Sequence, residues 1–368
     1  MKLIADPDER SLASTLRELL AKKCPPSLAR EPAAQRMPQS LWKALCDTGV
    51  LGLGVPLEYG GSGGTLADLG VFCIEAGRAL CPTLVHSTVA GTLAINALGI
   101  PAQRERWLPA LTSGALRATT ALWHPRNAAI VTPTLRAEPA GDGWLLRGAA
   151  DFVADADVAD VIVATATEVS SQKILCFVVP LDGLRIEPLS IMGGHRLFRV
   201  EFGDVVVPDS MDVRVDDLRR VANAAVTLLS LDLVGIGEAV LERTVDYTTM
   251  RHQFGRPIAS FQAAQHLVAN MHIALAAARL AARSAAFWIG RGHIAVRETA
   301  VARMQSAAAA KLITLDAHQL HGGMGYVTET DLHLWSERAR VLSTLGGGAD
   351  VAAGWLQEEM ELGCSATV

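Results

Sequence analysis

No two of the six cysteines form a C-x-x-C pair, and no paired spacing links Cys24, Cys46, Cys73, Cys81, Cys176 and Cys364. That argues against a disulfide framework and predicts free thiols in a reducing, cytoplasmic setting. Metal-ligand spacing is lacking too: His195, His266, His272, His318 and His321 stand apart from carboxylates and cysteines, so no metal site is expected. There is no excess of positive charge. A net charge of −5 gives no general reason to expect nucleic-acid binding. The segment from Met1 to Asp8 has no long apolar core, so a secretory leader is not expected. Charge interrupts the apolar stretches, as Asp232 does between Leu228 and Gly237, so no membrane span of roughly 20 residues is expected. The tail Cys364-Ser-Ala-Thr-Val368 carries neither a prenylation box nor a peroxisomal ending. No internal repeat is visible.

What is present is a chain of 368 residues, half of them hydrophobic and 19% charged, enough for two or three packed units around a large core. Apolar residues at three- and four-residue spacing predict helices over 8–23, 39–48, 66–80 and 87–98. The period then changes. Short β-branched runs bounded by Gly, Pro and Asp predict strands near 144–147, 161–166, 174–179 and 200–207, as in a small β-barrel or sandwich. Long Ala/Leu-rich helices follow over 217–250, 262–291 and 295–320, with shorter ones over 331–342 and 349–361, which suggests an antiparallel bundle. The expected division is a helical part over 1–117, a β part over 118–212 and a helical bundle over 213–368.

The most informative stretch is Arg251-His-Gln-Phe-Gly-Arg-Pro-Ile-Ala-Ser-Phe-Gln262, between two predicted long helices. It offers a guanidinium for phosphate, amides for polar edges and a glycine that lets backbone approach a ligand. The block resembles the R-x-x-F-G-x-x-I-x-x-F-Q signature of the flavin-dependent acyl-CoA dehydrogenases. Gln319-Leu-His-Gly-Gly-Met-Gly325 resembles that family's Q-x-x-G-G-x-G. Leu53-Gly-Val-Pro-Leu-Glu-Tyr-Gly-Gly61 resembles its N-terminal turn, and Glu201-Phe-Gly-Asp-Val-Val-Val-Pro208 its closing β strand. The order of helices, β unit and helices agrees, so the resemblance covers essentially the whole chain. It implies the acyl-CoA dehydrogenase fold: an N-terminal α-helical domain, a middle β-barrel or sandwich domain and a C-terminal four-helix bundle. It also implies that Arg251, Gln253, Phe254, Ile258, Phe261, Gln262, Gln319, Gly322 and Gly323 contact FAD held mainly by a neighbouring subunit.

The other half of the family's site reads differently. The loop usually written T-E-P-x-x-G-S-D is here Ala121-Leu-Trp-His-Pro-Arg-Asn-Ala-Ala-Ile130, in which only Pro125 survives. The K-x-W/F-I-T/S strand is here Ala150-Asp-Phe-Val-Ala154, in which Phe152 can fill the ring position but Ala150 has no charge and Ala154 no hydroxyl. Removing the α-proton of a thioester needs a carboxylate in a dry pocket. The family's glutamate position falls on Gly346, and an alternative position falls near Ala225, both inert. Asp232, among apolar residues, is the one candidate for a displaced base, and the competing reading is a buried structural partner. Glu238, Glu242 and Asp246, four residues apart, read as a solvated or interface stripe. Asp350 lies a helical turn beyond Gly346 and would approach flavin rather than substrate.

With the fold and the in-trans half-site kept and the in-cis half-site and base lost, the chain resembles the non-catalytic subunits of heterotetrameric actinobacterial acyl-CoA dehydrogenases of steroid side-chain degradation. The resemblance implies FAD shared with a homologous catalytic subunit in an α2β2 assembly. It also implies a bulky, sterol-derived acyl-CoA substrate and an electron-transfer acceptor. The alternatives are a self-sufficient dehydrogenase or same-fold flavin monooxygenase with a displaced base, and a binding or scaffold protein without redox chemistry.

Overall fold

A computed structural model describes residues 5–31, 37–192 and 195–365, with side chains described as far as 361. The readings at Met1–Ile4, at the Cys364 side chain and at the last residues therefore lie outside the described residues.

Six helices come first: α1 (Pro7–Lys23), α2 (Pro26–Arg30), α3 (Gln39–Asp47), α4 (Leu66–Arg78), α5 (Thr83–Leu98) and α6 (Pro101–Thr112). Sequence and structure agree closely on α1, where Asp6 accepts from the Glu9 amide and Pro7 opens the first turn. Thr65 and Asp68 form a capping box at the start of α4. The apolar pattern did not reveal α2 or α6. The latter carries Pro109 inside it and buries few side chains, so its periodicity is faint.

The middle part is one mixed sheet. Strands β1 (Ala118–Ala121), β2 (Leu135–Ala140), β3 (Gly143–Ala154), β4 (Val161–Glu168), β5 (Ile174–Pro180), β6 (Arg185–Leu189), β7 (Leu197–Val207) and β8 (Met211–Asp212) run in the order β6-β7-β3-β2-β4-β5-β8. β1 adds to β4 in parallel beside β2. Register shifts between Leu146 and Gly148 and between Ala150 and Val153 bend β3 against β7. The β unit is thus a single continuous sheet, curved by bulges.

The last part is the helical bundle: α7 (Val215–Met250), the two-residue strands β9 (His252–Gln253) and β10 (Arg256–Pro257), α8 (Gln262–Gly290), α9 (Val296–His321), α10 (Leu332–Leu342) and α11 (Ala349–Ser365). Helix α7 is the spine. Its glycines admit close neighbours: a Cβ at Gly235 would fall 1.9 Å from the Ile74 carbonyl oxygen of α4. By length and composition α7 and α8 could both cross a membrane, which the sequence reading did not anticipate. The apolar window of α7 is 78% buried inside the protein, but that of α8 is only 33% buried. Helix α8 therefore leaves Ile273, Ala276, Ala277 and Leu280 uncovered.

Candidate functional site

The motif residues collect at one end of the bundle. Helix α7 stops at Arg251, whose amide still donates to the Tyr247 carbonyl at 2.8 Å. The chain then turns back on itself. β9 pairs with β10, and Phe254 (φ 52°) and Gly255 (φ 80°) form the two-residue left-handed turn between them. Such a conformation is unfavourable for phenylalanine. Here it holds the Phe254 ring 93% exposed. Phe261 stands edge-on to it at 6.3 Å, and the Arg256 guanidinium lies over the Phe261 ring at 4.1 Å. The Ile258 amide donates to the Arg251 carbonyl at 2.9 Å, closing the turn, and Ile258 packs on the bundle core. Arg251, Gln253 and Gln262 are exposed.

The second motif lies at the adjoining end of α9. Tyr247 stacks on His321 at 4.2 Å, and its hydroxyl donates to the His321 carbonyl. Burial holds the His321 imidazole below its ordinary pKa. Gln319, Gly322 and Gly323 are exposed beyond that stack. A Cβ at Gly255, Gly322 or Gly323 would meet no atom within 4 Å, so backbone there is open to a ligand. Guanidinium, amides, an exposed aromatic and bare backbone on one surface fit a large, planar, phosphate-bearing cofactor such as FAD.

The positions that read as inert also converge, elsewhere. A cleft of about 190 Å³ opens between α5, the sheet and the first half of α7. Pro125, Ala150, Phe152, Ala154, Ala225 and Gly346 all line it. Phe152 sits in the β3 bulge with φ 59°. Gly346 has φ 73°; its amide donates to the Pro125 carbonyl at 2.7 Å and its carbonyl accepts from the Ala128 amide at 2.8 Å. The Trp355 indole donates to the Asn127 side chain at 2.8 Å, tying the same loop to α11. A Cβ on Gly346 would lie 3.1 Å from Val226 Cγ2. Gly346 is therefore a backbone staple. Arg303, fully buried, clamps the other side by donating to the carbonyls of Leu342, Leu345 and Gly347 at 2.6–2.8 Å. Desolvation lowers its pKa to about 10. Within this lining, Ala154 brings no hydroxyl, Ala150 no charge, and Gly346 and Ala225 no carboxylate.

Asp232 does not line the cleft. It is 1% exposed and stands behind His86, whose Nε2 is 2.7 Å from its Oδ2. His86, on α5, does line it. Sequence reasoning missed His86, and its one local signal is that it is the only titratable residue of α5. Asp350 is exposed in the first turn of α11, away from the cleft lining. The carboxylate stripe is largely ion-paired: Glu238 binds Arg78 at 3.0 Å and Arg279 at 2.5 Å, Glu242 binds Arg78 at 2.6 Å, and Asp246 is exposed.

One continuous helix separates the cleft from the motif end. Leu229 lines the cleft and Arg251 follows 22 residues later on α7, roughly 33 Å away at 1.5 Å per residue.

Comparison with known proteins gives these features a family. The model described as acyl-CoA dehydrogenase, N-terminal domain, matches residues 6–115, and that described as acyl-CoA dehydrogenase, C-terminal domain, matches residues 219–360. The chain is 31% identical over 346 residues to acyl-CoA dehydrogenase IpdE2 of Mycobacterium tuberculosis, covering 90% of this chain and 91% of that one. A solved variant of the Tcur3481-Tcur3483 steroid ACAD is similar with a TM-score of 0.88 and 25% identity, over 97% of this chain and 99% of that one. The ChsE4-ChsE5 complex from Mycobacterium tuberculosis shares the fold, with a TM-score of 0.86 and 23% identity over 98% of both chains. The chain belongs to the acyl-CoA dehydrogenase family, oxidoreductases acting on CH–CH bonds.

Proposed function

We propose that this chain is the non-catalytic subunit of a heteromeric acyl-CoA dehydrogenase, completing the FAD site of a homologous catalytic partner. The observation that carries this reading is the separation of the half-sites. The groups that fit flavin stand roughly 33 Å along α7 from a cleft whose base positions are Gly346 and Ala225. A chain so arranged donates its motif end to a neighbour and has no use for a second copy's inert cleft. In the shared site the Arg251 guanidinium holds phosphate, and Gln253, Gln262 and Gln319 bond polar edges. Phe254, Ile258 and Phe261 shape the turn, and Gly322 and Gly323 let backbone approach. When bound, the flavin supplies a hydride acceptor, and the partner supplies the base for the α-proton.

The poorly covered face of α8 supports a permanent neighbour, since an apolar helix face left in water favours burial against another chain. A bulky, sterol-derived acyl-CoA is the proposed substrate, supported by the likeness to the Tcur3481-Tcur3483 steroid ACAD and to IpdE2. Electrons would pass on to a separate acceptor.

The test is flavin stoichiometry with native mass, for the chain alone and co-expressed with a family member encoded beside it. No flavin alone and about one FAD per heterodimer together is the expected result. Arg251→Ala should then lower the flavin retained by the heterodimer. One FAD per chain alone would overturn the reading in favour of a self-sufficient flavoenzyme. No flavin in either case would favour a protein without redox chemistry.

A further inference from the structure

The turn after α7 and the turn after α9 carry the two motifs, and they lie far apart in the chain. One cofactor can use both turns tightly only if their mutual position is fixed beforehand, since freedom lost on binding subtracts from affinity. Part of that restraint is apolar packing, because Ile258 and Leu320 share a core cluster. Such packing has no direction of its own.

The directed contact is Tyr247. Its carbonyl accepts from the Arg251 amide at 2.8 Å, where α7 ends. Its ring stacks on the buried His321 at 4.2 Å between centroids and 17° between planes. Its hydroxyl donates to the His321 carbonyl at 3.3 Å. The carbonyls of a last helical turn have no partner within the helix. At the end of α9 the Gly322 amide takes those of His318 and Gln319, and the phenol takes that of His321. Among the described residues this is the one hydrogen bond that joins residues 247–262 to residues 317–326. The imidazole is itself held, because its Nδ1 donates to the Ala317 carbonyl at 2.8 Å. Gly322 then leaves α9 with φ 58° and ψ −135°, a conformation that suits glycine alone. The place of His321 therefore fixes where the bare backbone of Gly322 and Gly323 begins.

We infer that Tyr247 is a positioning residue: it locks the turn at Arg251 to the turn at Gly322 and so sets how tightly the shared site holds FAD. It acts through Arg251 and His321 rather than as a cofactor contact. The inference rests on the shared-site reading.

The test uses the heterodimer with Tyr247→Phe, Tyr247→Leu, His321→Leu, and the last two combined. FAD is titrated into each flavin-free complex to give its dissociation constant. The ring stack carries most of the contact, since 3.3 Å is long for a bond from a hydroxyl. Tyr247→Phe should therefore hold FAD within about threefold of the parent. Tyr247→Leu should hold it about tenfold more weakly, the worth of one aromatic pair. The combined variant should bind FAD no more weakly than either single one, as expected for two residues acting through one contact. A merely structural role would lower stability without producing that pattern in FAD affinity. On the chain alone, Tyr247→Leu should speed hydrogen exchange about tenfold at the His321 and Gly322 amides while α4 exchanges as before, which separates local release from failure to fold. Equal FAD affinity in the parent and Tyr247→Leu, additive losses in the combined variant, or unchanged exchange at Gly322 would overturn this inference alone. A parent heterodimer that holds no flavin would overturn the shared-site reading, and this inference with it.

Discussion

Replacing Gly346 with alanine should destabilise the chain by about 2–5 kcal/mol. Two costs add. The backbone there has φ 73°, a left-handed conformation that costs an L-residue about 1–2 kcal/mol. The new methyl would also sit 3.1 Å from Val226 Cγ2, and overpacking of a close-packed site costs about 1–3 kcal/mol. Backbone rotation offers little relief, because the Gly346 amide and carbonyl are held by Pro125 and Ala128 at 2.7 and 2.8 Å. Chemical denaturation of the parent, Gly346→Ala, Val226→Ala and the double variant separates the two costs. Val226→Ala should relieve only the contact, giving a coupling of about 1 kcal/mol, and leave the backbone strain. The same reasoning predicts that Gly346→Glu does not create a dehydrogenase from the isolated chain, since the carboxylate would arrive on a strained staple in a cleft where Ala150 brings no charge and Ala154 no hydroxyl. A Gly346→Ala variant within about 0.5 kcal/mol of the parent, or flavin-dependent turnover by Gly346→Glu alone, would refute this account.

Further outcomes follow from the buried polar groups. Arg303→Met should cost about 3 kcal/mol or more, because three carbonyls lose their donor; hydrogen exchange should show loss of protection over 342–348. Asp155 is 2% exposed and accepts from Thr83 and Ser87 at 2.8 and 2.7 Å, but desolvation outweighs these bonds and raises its pKa. The folded state therefore binds the extra proton. Stability from this group falls as pH rises from the ordinary carboxylate value through the raised one. Asp155→Asn should flatten that part of the stability–pH profile, and an unchanged slope would count against it. Cys176 is fully buried with its thiol pushed up to about 12, so iodoacetamide at pH 8 should label it only after denaturation.

The motif end of the molecule was legible because its determinants are local. A Phe-Gly pair between two helices specifies a tight left-handed turn, and the exposed arginine and amides beside it need no distant partner to be recognised. The long helices were legible for the same reason, their apolar spacing repeating over many turns. Short strands such as β1, β6 and β8 were not, since pairing with neighbours defines them more than their own residues do. Two helices capable by composition of crossing a membrane went unnoticed in the sequence, and packing separates them, α7 into the core and α8 onto the surface.

By itself, then, the sequence determined the family's order of parts, the motifs at the end of the bundle and the absence of a carboxylate at Gly346. Only tertiary structure decided that Gly346 is stapled to Pro125, that Arg303 clamps the loop from within, and that Asp232 stands behind His86 rather than in the cleft. Each of these contacts joins residues far apart in the chain. Their partners are chosen by how helices and sheet pack, and no local pattern of residues encodes that choice.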